Sequence, residues 1–163
     1  MKAHIGIDNG ITGSLAYING KVRFISIPTR SEQSYTKKKQ NITRIMVPEL
    51  INILRDWCDG KSVRAFIERP FLNPQGIKAS ISAARALEAM LIALEECGIS
   101  YEYIDSKSWQ HALLPAGLKG TAELKRASVD IACRLFPEHT EAIRKHKDGD
   151  SLLIAEWARR NQI

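Results

Sequence analysis

The chain has 163 residues, the size of one ordinary domain and enough to bury a core without disulfides or a structural metal. Its 24 Lys and Arg exceed its 18 Asp and Glu for a net charge of +6, a modest excess that favours polyanionic partners without identifying one. Cys58, Cys97 and Cys133 fall in separate apolar segments without a CxxC, which argues against a disulfide framework or a zinc site. No charged start leads into an apolar stretch, and the longest apolar run, Ala89 to Leu94, is far too short for a bilayer. The expectation is therefore one non-secreted domain, residues 1–163, with no membrane partner and no small-molecule cofactor.

Ala3 to Asp8, Ser14 to Ile18 and Lys21 to Ile27 read as three strands, the last two joined by Asn19-Gly20, a strong hairpin signal. From Pro28 to Thr43 the chain turns polar and basic, with Arg30, Lys37, Lys38, Lys39 and Arg44 around Tyr35. No apolar period ties this stretch to a core, which predicts a mobile loop. Pro48 opens a helix whose Leu50, Ile51, Leu54, Trp57 and Cys58 follow the helical period and which stops at Gly60. Ser62 to Glu68 is a second buried strand, ended by Arg69 and Pro70.

Ile81 to Cys97 predicts a helix whose polar Arg85, Glu88, Glu95 and Glu96 fill only a narrow stripe. An apolar face this wide suits two burial surfaces, the protein's own sheet and a second subunit; a helix buried in one core explains it equally. Tyr101 to Asp105 reads as a fifth strand and Thr121 to Phe136 as an amphipathic helix closed by Pro137. A last helix starts near Asp148 or Asp150. The order β-β-β-α-β-α-β-α-α predicts an α/β fold: a five-stranded mixed sheet, a three-strand antiparallel meander plus parallel strands, flanked by helices.

Asp8 ends an apolar run where a core strand meets the turn Asn9-Gly10-Ile11-Thr12-Gly13, and buried carboxylates are costly unless paired or metal-bound. Glu68 occupies the same kind of position on another strand, so neighbouring strands would bring the two acids to one sheet edge. Asp148 and Asp150 could join them from the last helix, although capping of that helix alone also accounts for both. Gathered carboxylates repel unless a cation neutralises them, and oxygen-only ligands select hard Mg²⁺ or Mn²⁺. Two such ions can clamp the attacking and leaving oxygens of a phosphodiester displacement. None of His4, His111, His139 and His146 has metal-triad spacing, and only His146 lies close enough to the last acids to be considered.

Four features together resemble the RuvC-type Holliday junction resolvases of the ribonuclease H-like superfamily, especially their small phage-like members. They are Gly6-Ile7-Asp8-x-Gly10-x-Thr12-Gly13, Phe66-Ile67-Glu68, Phe71, and Asp148-Gly149-Asp150-Ser151-Leu152-Leu153-Ile154-Ala155, in this order across nearly the whole chain. The resemblance implies a crossover junction endodeoxyribonuclease with two Mg²⁺ ions per active site, Mn²⁺ also serving, held by Asp8, Glu68, Asp150 and Asp148. It implies an aromatic wedge against bases at Phe71, with a core phenylalanine as the alternative, and basic residues near the active site at Lys107, Lys119 and Lys125, with a solvated surface lysine as the alternative for each. Lys107 and Lys125 are suited to stabilising transition-state charge, and Lys119 to phosphate contact.

The family commonly places an acid or histidine three residues before the final Asp, and this chain has Lys147 there, which leaves the fourth ligand open between Asp148, His146 and none. Lys37, Lys38 and Lys39 form a candidate DNA-contacting arm, with a solvated loop as the alternative. The implied partners are branched DNA, a four-way junction, and a second copy of the chain, in the cytoplasm of a bacterial cell or a phage-infected host. A flap endonuclease, a ribonuclease H and a catalytically silent junction-binding protein stand as alternatives. An actin-like phosphotransferase would need a second lobe for which the chain has no room.

Overall fold

A computed structural model describes residues 2–161 and 163 of the chain. In chain order its elements are strands β1 (Ala3–Asp8), β2 (Ser14–Asn19), β3 (Lys21–Ser26), β4 (Thr29–Gln33) and β5 (Asn41–Ile45), helix α1 (Val47–Cys58), β6 (Val63–Glu68), α2 (Ile77–Glu96), β7 (Ser100–Ile104), α3 (Ser106–Leu113), α4 (Gly120–Leu135), a 3₁₀ turn (Pro137–His139), α5 (Thr140–His146) and α6 (Asp150–Asn161). The main sheet has the order β3-β2-β1-β6-β7, antiparallel through the meander and parallel from β1 to β6 to β7. This is the five-stranded mixed sheet flanked by helices that the sequence predicts.

The central strands are buried on both faces, so alternation sorts side chains between two cores. Ile5, Ile7, Leu15, Tyr17 and Ile67 pack with Leu50, Leu54, Met90 and Leu94 of α1 and α2. On the opposite face Ala16, Ile18 and Phe66 pack with Trp109 of α3, Ala132 of α4 and Leu152, Leu153 and Ala155 of α6. With a period of two, Gly6 and Asp8 share the α6 face of β1, and Phe66 and Glu68 share that face of β6. Parallel pairing aligns the strands so that Ile7 lies opposite Ile67, which sets Asp8 and Glu68 side by side at the same sheet edge.

Gly6 makes that edge possible. A Cβ built there would strike the carbonyl oxygen of Ser151 and lie 2.6 Å from the Ala155 nitrogen, so α6 rests directly on the strand backbone. A buried hydrogen bond from Ser14 Oγ to Ser151 Oγ, 2.7 Å, fixes the first turn of α6 against β2. The first turn of α6 is thereby held over the end of β1.

Three sequence expectations need correction. Residues 28–43 do not form a loop: β4 and β5 pair as an antiparallel ribbon with Thr29 opposite Ile45 and Gln33 opposite Asn41. Its stability comes from groups that apolar periodicity does not register. Glu32 accepts from Arg30 at 3.0 Å and from Arg44 at 2.6 Å, the Ser34 N–H donates to the Gln40 carbonyl at 2.8 Å, and Ile45 is buried beside α2. The helix expected from Ile81 begins one turn earlier, at Ile77, because Gly76 and the Asn73 turn, and no capping side chain, mark its start. The single helix expected between Tyr101–Asp105 and the last helix is accompanied by α3, the 3₁₀ turn and α5, elements too short for a periodic signal. No helix among the described residues is long and apolar enough to cross a membrane.

Candidate metal centre

Four elements deliver the site. Asp8 ends β1 and projects toward α6. The Gly10–Gly13 turn that follows is tight: Gly13 N–H donates to the Gly10 carbonyl at 3.1 Å, and a Cβ at Gly13 would collide with the Asp8 carbonyl. Asp148, Gly149 and Asp150 lead into α6, where Gly149 is required because a Cβ there would fall 2.5 Å from Ala132 Cβ of α4. One carboxylate oxygen from each of Asp8, Asp148 and Asp150 lies within 4.8 Å of the other two.

The segment before α6 shows how two acids so close in sequence take different positions. Lys147 ends α5 in the left-handed conformation, φ 65°, and the reversed chain lets Asp148 Oδ1 accept the Asp150 N–H at 2.8 Å. Its other oxygen, Oδ2, accepts from Lys125 Nζ of α4 at 3.1 Å. Ser128, also on α4, accepts the Gly149 N–H at 3.3 Å and donates to Asp150 Oδ1. Both acids are therefore capping or hydrogen-bonded groups and members of the cluster at once.

The electrostatics are those of buried carboxylates gathered close together. Burial raises the Asp8 carboxyl well above the usual range, and Asp148, Asp150 and Glu68 add to it. Burial and then Asp148 push the Asp150 carboxyl up to about 7 from an ordinary 3.8. Glu68 is raised by burial, against the indole N–H of Trp109, which donates to Glu68 Oε2 at 2.8 Å. The Lys125 ammonium is raised mainly by its hydrogen bond to Asp148. A hard divalent cation fits this donor set: all-oxygen, buried, and carrying more negative charge than Lys125 neutralises.

Asp8, Asp148 and Asp150 thus converge. Glu68 stands beside them at the adjacent strand end, outside the tight triad but near enough for its charge to act on Asp8 and Asp150. Lys125 reaches the cluster. Lys107, on the first turn of α3, and Lys119, preceding α4, are exposed, and the contact found at Lys119 is its backbone N–H to Glu123 Oε2 at 2.7 Å. Lys37, Lys38 and Lys39 project at the tip of the β4–β5 ribbon. Phe71 is 85 % exposed in the loop after Glu68, which removes the core-phenylalanine reading.

His146 Nδ1 hydrogen-bonds Ser26 Oγ at 2.8 Å and its ring stands edge-on to Phe24, while Asp148 is the acid that joins the cluster. Two participants escaped sequence reasoning. Trp109 and Ser128 sit on helices as an apolar and a small residue at inward positions, and nothing in their spacing distinguishes a hydrogen bond to an acid from ordinary packing.

No family model matches the chain, and no curated protein matches it. Solved structures do. Over 99 % of this chain and 96 % of the other, the fold superposes on Thermus thermophilus RuvC in complex with a Holliday junction substrate, with a TM-score of 0.57 at 16 % identity. A second Thermus thermophilus RuvC structure gives a TM-score of 0.56 at 17 % identity, over 98 % of this chain and 96 % of that one.

Proposed function

From a chain with the RuvC-type, ribonuclease H-like fold, we propose a structure-selective, metal-dependent endodeoxyribonuclease that resolves four-way DNA junctions by paired nicks. The observation that carries this reading is the convergence of Asp8, Asp148 and Asp150 at the edge of that fold, with Glu68 alongside. In support, one of the structures it resembles is RuvC bound to a Holliday junction substrate. A net charge of +6 favours a polyanion, and the three free cysteines suit a reducing cytoplasm.

Asp8, Glu68, Asp148 and Asp150 would hold two Mg²⁺ ions, with Mn²⁺ able to replace them. Such ions supply activation of the attacking water and stabilisation of the leaving 3′ oxygen. Asp8 would be among their ligands, its carboxyl lying close to those of Asp148 and Asp150 and within reach of the Glu68 charge. The Ser128 hydroxyl holds Asp150 and the Asp150 N–H holds Asp148, which would limit the ordering each carboxylate needs on loading. Lys125 lies beside Asp148 and can stabilise charge developing on the phosphate, with Lys107 proposed for the same task. Phe71, exposed next to Glu68, would stack on a base near the scissile phosphate, and Lys37, Lys38, Lys39 and Lys119 would contact the backbone.

A four-way junction is close to two-fold symmetric and needs two nicks, which a homodimer supplies with one site per subunit. The solvent side of α2 leaves Ile77, Ile81 and Ile92 at 65 %, 45 % and 48 % exposure, an apolar stripe suited to a second copy. Size measurement at micromolar concentration should give a dimer; a monomer removes this part of the proposal. The activity test incubates the protein and its Asp8→Asn variant with labelled four-way, flap, RNA–DNA and linear substrates in Mg²⁺ or EDTA. Paired nicks in the junction, abolished by EDTA and by the substitution, are expected. Preference for flaps or hybrids would assign a related nuclease, and binding without nicking a silent junction-binding protein.

A further inference from the structure

Glu68 is the acid of the site whose orientation depends on a residue with no other part in it. Trp109 lies on α3 with its indole 1 % exposed, in the core formed by Phe66, Ile104 and the face of α6. Its Nε1–H donates to Glu68 Oε2 at 2.8 Å. An indole has one donor and no acceptor, and it cannot reorient inside a packed core, so this contact names one carboxylate oxygen and holds it. The acceptor is an ionisable carboxylate, where a backbone carbonyl would satisfy a buried indole as well.

The surrounding backbone keeps donor and acceptor in register. The Arg69 N–H, one residue past Glu68, donates to the Ile104 carbonyl at 2.9 Å, and the Arg69 guanidinium pairs with Asp105 at 3.0 Å just before α3 begins. The exit of β6 and the entry of α3 are thus tied together by Arg69, the residue that follows Glu68. A free glutamate would rotate about three side-chain torsions; this one is restrained at its far end.

We propose that Trp109 is a positioning residue for the metal centre: by holding Glu68 Oε2 it leaves Oε1 as the oxygen free to serve a cation and prepays the ordering of that ligand. The inference rests on the reading of Asp8, Glu68, Asp148 and Asp150 as the cation's ligands. It belongs to this chain's own side chains, since α3 gave no sequence signal that Trp109 touches an acid.

The test is Mn²⁺ binding by calorimetry to wild type, Trp109→Phe, Glu68→Gln, the double variant and Trp57→Phe. Loss of the indole N–H should weaken Mn²⁺ about tenfold or more, the usual effect of removing a partner that orients a ligand. In the Glu68→Gln background the same change should weaken it no further. Trp57→Phe, in the core on the opposite face of the sheet, should lower the melting temperature and leave Mn²⁺ affinity within about twofold, which separates positioning from general destabilisation. Should Trp109→Phe not fold, 3-benzothienylalanine at position 109 keeps the ring shape without the N–H and replaces it in the comparison. Unchanged affinity in either variant overturns the proposal, as does equal weakening with and without Glu68. A wild type that binds no Mn²⁺ overturns the metal reading itself, and the positioning role with it.

Discussion

Replacing Asp150 by Asn removes one negative charge from a buried cluster while keeping nearly the same volume. The Asp150 carboxyl titrates at about 7 in the fold against an ordinary 3.8, so holding it ionised costs on the order of 4 kcal/mol. Because the folded value is raised, this group costs the fold nothing below the ordinary value, and its cost grows as pH rises from about 4 and levels off at its full size above about 7. At pH 5 on the order of 1–2 kcal/mol of that cost has accrued and at pH 8 nearly all of it. Asn avoids the cost at both values but weakens the Ser128 hydrogen bond, worth about 1 kcal/mol.

In EDTA, Asp150→Asn should therefore match wild type within about 1 kcal/mol at pH 5 and exceed it by about 2–3 kcal/mol at pH 8. For a chain of this size the larger figure is a rise of roughly 5–10 °C in melting temperature. Saturating Mg²⁺ should reverse the order at pH 8, because the cation stabilises only a fold that binds it. Urea titrations at both pH values, with and without Mg²⁺, measure all four quantities. A stability gap that does not grow with pH, or equal Mg²⁺ stabilisation of both proteins, would refute the account of mutually repelling acids that a cation neutralises.

Gly6→Ala places a Cβ against Ser151 O and Ala155 N, with backbone on every side, so it should destabilise by about 1–3 kcal/mol or more and weaken Mn²⁺ binding by lifting α6 from β1. Chemical denaturation and calorimetry check both. Lys125→Met should change stability by less than about 1 kcal/mol, since the lysine is 57 % exposed, yet slow nicking of bound junction in single-turnover assays. Changing Lys37, Lys38 and Lys39 together to Ala should reduce the slope of log affinity against log salt by up to about 3 while leaving the nicking rate at saturation unchanged. An unaltered slope, measured by fluorescence anisotropy, would return the tip to a solvated role.

The sheet was legible because it rests on signals that are local in sequence. Apolar runs ended by Asp8 and Glu68, the Asn19-Gly20 turn and the long period of α2 each identify an element without knowledge of its neighbours. The β4–β5 ribbon was not legible because its support comes from the Glu32–Arg44 pair across the strands, with Arg30 on the same carboxylate. The pairing of these three becomes visible only once the register is known. α3 and α5 are seven or eight residues long, and each shows one or two inward positions, too few to define a face. Trp109 was lost with α3. A lone buried tryptophan in a sequence reads as packing, and its donor acquires meaning only when β6 and β7 bring the end of one strand against the start of the following helix.

Asp148 shows how the site tolerates a shift in sequence spacing. The position three residues before Asp150 holds Lys147, whose left-handed backbone ends α5 and whose side chain faces solvent. A ligand at that position would need the chain to enter α6 along a different path. The turn at Lys147 instead moves the next side chain into the cluster, and the Asp150 N–H orients its carboxylate. The cost is that Asp148 serves as a turn-forming acceptor, a partner of Lys125 and a candidate ligand together. Its replacement must therefore disturb the entry of α6, the placement of Lys125 and cation affinity as a unit. In a double-mutant cycle for nicking, Asp148→Asn and Lys125→Met are accordingly expected to be strongly non-additive, the signature of groups that act through one another.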